Sequence, residues 1–209
     1  MKNITIGQKL KILLFNPDLF FSEKLKNEVD LKHPALIVLI TSIISILTTI
    51  LTFNDRSLLS IVGSAIVGRY LSWIFITSLF YLISLVFNPD GSFKRTLEFV
   101  SYGYIPAILG NVIYLIVCLI LRNSFFISTQ DPILHLKNYR ELLIHNTLFQ
   151  AAMILGFLFT LWTLYIDVYA VMYARSLSKK NAFLTVFIPF FFQLVLLIFF
   201  FFLIISFFK

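Results

Sequence analysis

Five uninterrupted apolar runs constrain this chain more than any other feature. They cover about Pro34–Phe53, Ser60–Phe87, Phe99–Leu121, Thr147–Tyr173 and Ala182–Phe208. Each is long enough to cross a bilayer, which takes about 20 residues. The runs are continuous rather than alternating, and in lipid only helices and closed barrels satisfy their own backbone. The expected fold is therefore an all-α integral membrane protein: a five-transmembrane-helix bundle with short interfacial helices. Composition agrees. Hydrophobic residues make up 59% and charged residues 13%, against about 25% charged in a soluble domain. That argues against a water-soluble enzyme, a disordered chain or a disulfide scaffold. The single cysteine, Cys118, lies inside an apolar run and leaves no internal disulfide or cysteine-based metal site.

The net charge of +7 is scattered over the short segments between runs. This is the pattern of membrane topology, not of a nucleic-acid surface, so no nucleic-acid partner is expected. With the N-terminus inside, eleven of the 17 Lys and Arg fall on inner segments. These are Lys2, Lys9, Lys11, Lys24, Lys26, Lys32, Lys94, Arg95, Arg175, Lys179 and Lys180. The positive-inside rule then places the N-terminus in the cytoplasm and, with five spans, the C-terminus outside an integral cell membrane protein. Two regions are expected: a cytoplasmic amphipathic segment over 1–33 and the five-span domain over 34–209. Asn16-Pro17 reads as a helix N-cap followed by Pro at the first helical position. Leu19, Phe20, Phe21 and Leu25 would lie in the interface, with Lys24 and Lys26 reaching towards phosphate. Between Arg122 and Asn146, Asp131-Pro132 caps a second in-plane helix carrying Ile133, Leu136, Tyr139 and Leu143 at helical spacing.

Lipid tails are as apolar as Leu, so small and hydrogen-bonding residues mark the faces where helices join. The fourth run has Ala152, Gly156, Thr160, Thr163, Asp167, Ala170 and Ala174 at steps of three and four. The first has Thr41, Ser45, Thr48 and Thr52, the second Ser64, Gly68 and Ser72, the third Gly103, Ala107 and Gly110. The fifth has no such face, which makes it the most peripheral span. Such stripes serve contacts between protomers as well as within one, so a homo-oligomer stays open. Pro106 and Pro189 should each bend their helix.

Asp167 is the residue with most chemical content. A carboxylate deep in a span costs about 2.5–3.5 kcal/mol on insertion scales and normally faces the bundle interior. It forms a candidate intramembrane polar site with Thr163 and Thr160. One reading is a proton or cation site; the other is a structural lock through hydroxyls or Arg69. Glu98 reads as a first-turn helix acid favoured by the macrodipole, and Arg69 as a side chain that snorkels to headgroups. Glu141 and His145, with His135 nearby, fall short of a metal ligand set. No metal, cofactor or catalytic residue is expected, since no nucleotide-binding or hydrolase motif occurs.

One segment carries a resemblance. Asn88–Asn111, NPDGSFKRTLEFVSYGYIPAILGN, resembles the Ypt-interacting-protein (Yip) domain family, which has a Gly-Ser-Lys turn before its third span and a Gly-Tyr…Pro pattern within it. Those positions are Gly91, Ser92, Lys94, Gly103, Tyr104 and Pro106. Phe15–Phe21 with His33-Pro34, and Leu161–Phe183 with Lys180 and Ala182, are similar to prokaryotic members. The resemblance implies a five-helix bundle with a cytoplasmic N-terminus. Eukaryotic members associate with Rab-type GTPases in vesicle traffic. This chain lacks their Asp-Leu-Tyr-Gly-Pro motif, which speaks against GTPase binding, and is similar to the short prokaryotic type.

The leading expectation is a non-enzymatic multi-pass membrane protein that organises membrane or recruits a cytoplasmic protein partner. Its inner-loop basic contacts would be Lys94, Arg95, Lys179 and Lys180, with the lipid bilayer as the other partner. The alternative is a small proton- or cation-linked transporter or channel using Asp167.

Overall fold

The computed structural model describes residues 5–52, 57–122 and 132–207. Among these, nine α-helices follow one another: α1 Ile6–Phe15, α2 Pro17–Leu25, α3 Lys32–Thr52, α4 Leu58–Ser84, α5 Phe93–Val100, α6 Tyr104–Ile120, α7 Pro132–His145, α8 Thr147–Ala174 and α9 Lys179–Phe207. Five stretches are long and apolar enough to span a membrane: α3, α4 with its 3-10 extension to Phe87, α5 to α6, α8 and α9. The chain is an all-α membrane bundle, as the apolar runs require. Phe53, Phe208 and the Asp131 cap lie outside the described residues.

The N-terminal region holds one helix more than the apolar runs indicate. Thr5 accepts from the Gln8 amide while the Gln8 side chain accepts from the Thr5 amide, a complete capping box that starts α1. Asn16 then caps α2 by accepting from Leu19 N, with Pro17 at its first position. The third span also differs from its run. It begins at Phe93 as a strongly amphipathic helix and passes through a 3-10 turn at Ser101–Gly103 before continuing as α6. Pro106, three residues past that turn, has no N–H for the Tyr102 carbonyl, so the tighter turn falls where an α-helical bond is missing. Pro189 lies inside α9, which stays one helix. Beyond Pro189 no described residue of α9 is buried, in keeping with a peripheral last span.

The chain divides into two units. One comprises Met1–Val29, Phe75–Val100 and Ile166–Lys209. Its core gathers Leu13, Phe20, Phe21, Phe80, Phe99, Ile166, Val171 and Val186, with the Phe21 and Phe99 rings 5.1 Å apart. The other comprises Asp30–Ile74 and Ser101–Tyr165. There α3 packs along α6 and the 3-10 turn. A second cluster joins Val117 and Tyr114 of α6 to Leu142 of α7 and Phe149 and Ala152 of α8. Gly110 is buried in this unit, and a Cβ at that position would come within 3.1 Å of Phe159.

Candidate functional site

Charge is concentrated in the first unit, where the short α5 meets α2 and the end of α8. Three elements build the site. Asn88 ends the second span in the left-handed region at φ 49°. Gly91 follows at φ 115°, and Ser92 caps α5 by accepting from Arg95 N at 3.2 Å. Gly91 must be glycine on two counts: the left-handed backbone disfavours a side chain, and a Cβ would run into the Ala174 carbonyl.

Arg175 locks this turn against α8. Its side chain is 1% exposed. Nε donates to Ser84 Oγ at 3.0 Å, Nη1 donates to the Gly91 carbonyl, and the guanidinium lies 4.1 Å from the Tyr81 ring centroid. A planar fork serves all three at once, which an ammonium could not do. Tyr81 is in turn set edge-on against Phe93 at 5.4 Å.

Glu98 forms the second half. It is fully buried and receives Lys24 Nζ at 3.1 Å and Arg95 Nη1 at 2.9 Å. Arg95 also donates to the Asn27 carbonyl at 2.6 Å and lies over the Phe99 ring. This corrects the reading of Glu98 as a first-turn acid. The helix starts at Phe93, so Glu98 is its sixth residue and faces inward. The run of apolar residues marks only where hydrophobicity becomes continuous, not where the helix begins. A further tie runs from the Tyr173 hydroxyl to Asp18 at 2.8 Å. Together these contacts fasten α2 to α5 and α8.

The four basic residues singled out by the sequence therefore divide. Arg95 is turned inward. Lys179 donates to the Tyr169 hydroxyl at 2.8 Å. Lys94 and Lys180 are exposed. Of the resemblance positions, Gly91 and Ser92 shape the turn just described. In the second unit, Gly103 and Pro106 are buried around the 3-10 turn, where Tyr104 opens α6. They serve backbone geometry.

Asp167 is 5% exposed, and its Oδ1 has no hydrogen-bond partner among the described residues; the same holds for Thr77 Oγ1 and Thr163 Oγ1. Thr160 is exposed and donates to the Gly156 carbonyl of its own helix at 3.0 Å. Arg69 donates to Ser45 Oγ at 3.2 Å. Among the described residues no three His, Cys, Asp or Glu converge as metal ligands. Exposed Glu141 and His145 lie 3.5 Å apart on α7.

Arg175 is what sequence reasoning missed, having counted it only as a loop charge. A signal existed: Leu164, Val168, Val171 and Arg175 recur at steps of four, three and four, and all four are buried. An arginine in register with an apolar helix face is a buried arginine in search of acceptors.

Comparison with known proteins places this arrangement. The sequence model described as the Yip1 domain matches residues 11–201. An uncharacterized protein of the archaeon Methanocaldococcus jannaschii is 35% identical over 132 residues, covering 56% of this chain and 92% of the relative. No solved structure matches.

Proposed function

The chain belongs to the Yip1 domain family, and on that premise we propose that it is a non-enzymatic membrane protein whose basic end gathers anionic membrane or an acidic partner. In this reading α1, α2 and the Gly91 turn lie on the cytoplasmic side, where the excess of Lys and Arg puts them, and the last span ends outside. The observation that carries it is the division of labour among the charges. Lys24, Arg95 and Arg175 are consumed by buried partners and hold the end rigid. Lys94 on α5 and Lys180 on α9 stay exposed, as does Lys179, which donates to the Tyr169 hydroxyl. In the same unit Ile6, Leu10, Phe15 and Leu19 leave apolar surface on α1 and α2, as in a helix pair lying in an interface.

The test uses proteoliposomes of neutral lipid and phosphatidylserine vesicles added from outside. The intact protein captures the vesicles. The double variant Lys94→Gln and Lys180→Gln captures them about tenfold more weakly or worse, since each basic residue near an anionic surface contributes about 1 kcal/mol. Equal capture by both overturns the reading. The transporter alternative draws its support from the unpartnered Oδ1 of Asp167. It requires proton- or cation-linked flux in the same liposomes, abolished in Asp167→Asn while the fold is kept.

A further inference from the structure

The second unit holds a polar recess of a different kind. Ser45 of α3 and Ser64, Ala65, Gly68, Arg69 and Ser72 of α4 line an open pocket of about 210 Å³. Ser64, Gly68 and Ser72 were expected to form a helix-packing face. The structure instead leaves Ser64 and Gly68 exposed, and a Cβ at Gly68 would meet nothing within 4 Å. The buried residues of α4 in this unit are Ile61 and Trp73.

Arg69 sets the chemistry. It donates to a neutral hydroxyl, Ser45 Oγ at 3.2 Å, and among the described residues no carboxylate pairs with it. The guanidinium and the Ser45 and Ser72 hydroxyls, with no acid among them, form a donor set for an oxyanion. Ser64 lines the recess but donates to the Ile61 carbonyl at 3.2 Å. Depth points to the source of that oxyanion. Arg69 lies eleven residues into α4, about 16 Å from its start at 1.5 Å per residue. The span from Leu58 to Phe87 has 30 residues, about 45 Å of helix for a hydrocarbon core of about 30 Å. With the surplus of about 15 Å at the Leu58 end, Arg69 falls at the hydrocarbon boundary; shared equally between the ends, it falls about 9 Å inside, from where the long side chain snorkels outward. Leu47, Val67 and Leu71 on the same two helices are exposed and offer apolar surface to acyl chains.

We propose that this recess is a phospholipid-phosphate site, with Arg69 gripping the phosphate and Ser45 and Ser72 completing its hydrogen bonds. The oxyanion chemistry is common to a lipid headgroup and to free phosphate, and the exposed apolar flank favours the lipid.

Delipidated protein in neutral detergent is titrated with phosphatidylglycerol, with diacylglycerol of the same chains, and with inorganic phosphate. Retained ligand is read by native mass spectrometry and stability by thermal melting. Phosphatidylglycerol should bind and raise the melting temperature, and neither of the others should match it. Arg69→Gln should bind it roughly tenfold more weakly, the loss expected for one charge-assisted hydrogen-bonding group. Gly68→Leu keeps Arg69 but fills the open side. It should melt like the parent without lipid and lose the lipid-dependent shift, so a folding defect in the arginine variant does not blur the outcome. Equal binding of diacylglycerol, a response to inorganic phosphate alone, or an undiminished shift in Gly68→Leu each overturns the site.

Discussion

In the first unit, Glu98 and Arg175 are buried to 0% and 1% exposure; in the second, the fully buried polar side chains described are Thr41, Ser42 and Ser101. The buried hydroxyls of Thr41 and Ser42 turn back on their own helix, while Tyr70 of α4 donates across to the Ala35 carbonyl of α3 at 2.9 Å. Thr41 donates to the Ile37 and Val38 carbonyls and Ser42 to Val38. The second unit's described carboxylate–histidine contacts, Asp30 with His33 and Glu141 with His145, join near neighbours in the chain. Helices there approach through small residues such as Gly110 and through aromatic contacts. The charges of the first unit instead reach across the chain: Lys24 to Glu98, and Arg175 to Ser84 and Gly91. The difference follows from solvent. Where apolar helices meet among acyl chains, close packing suffices. Where short helices such as α2 and the amphipathic α5 are held within the first unit, directional bonds do the holding.

That contrast breaks hardest at Glu98. Glu98→Leu leaves Lys24 and Arg95 facing a buried gap and should destabilise the first unit by about 3–5 kcal/mol, as removal of one member of a buried pair does. Release of α2 would show as rapid amide exchange over Pro17–Leu25. The triple replacement of Lys24, Arg95 and Glu98 by apolar residues of similar volume should recover much of the loss. Melting in detergent, with and without the compensating changes, decides whether the network supplies rigidity or only satisfies its own charges. Arg175→Lys should follow at about 1–3 kcal/mol, because an ammonium cannot keep Ser84, Gly91 and the Tyr81 ring together.

How far these sites are legible in sequence follows the same division. The spans are plain, because continuous apolarity is a long-range signal and lipid permits few structures. The α2 start is plain as well, since Asn16-Pro17 states its own chemistry. The polar junction is not. Glu98 was misplaced because helix starts were taken from apolar runs, while α5 is amphipathic and mostly precedes its run. Arg175 was missed because a residue close to a loop is read as solvated, although its register with Val168 and Val171 marks it as buried. The α1 helix was overlooked for the same reason: its signal is the Thr5–Gln8 capping box, not its hydrophobicity. Which small-residue stripe packs and which faces outward is also beyond the sequence. Gly103 and Gly110 are buried, while Ser64 and Gly68, equally small, are exposed.

Glycine substitutions sharpen the comparison at intermediate size. Gly91→Ala meets both a left-handed backbone, worth about 1–2 kcal/mol against a side chain, and the Ala174 carbonyl. The turn must therefore move, and Arg175 loses its acceptor with it. Gly110→Ala meets only Phe159 side-chain atoms, at 3.1 to 3.2 Å, and overpacking of this kind costs about 1–3 kcal/mol. Gly68→Ala, on open surface, should if anything stabilise, since Gly in a helix interior costs about 1 kcal/mol relative to Ala. A melting series in the order Gly91, Gly110, Gly68 is the expected outcome. A Gly68 variant as damaged as Gly110 would mean that this face is covered in the assembled protein.

Smallest of all is a pH effect in α7. Tyr139 sits edge-on against Phe149 at 5.3 Å, and its hydroxyl faces Met153 Sδ at 3.8 Å. Partial burial of the ring raises the phenol above its ordinary value of 10.0. The folded state therefore disfavours the phenolate. Any stability this confers is complete below the unfolded pKa and is lost as pH rises through the folded one. Tyrosinate absorbance, compared between the parent and Tyr139→Phe, should show one phenol that ionises later than an exposed tyrosine, and the variant should melt within a degree or so of the parent at neutral pH. Ionisation at the ordinary value would mean that α7 stands away from Phe149, and that it is held less closely in the second unit than α2 is held in the first.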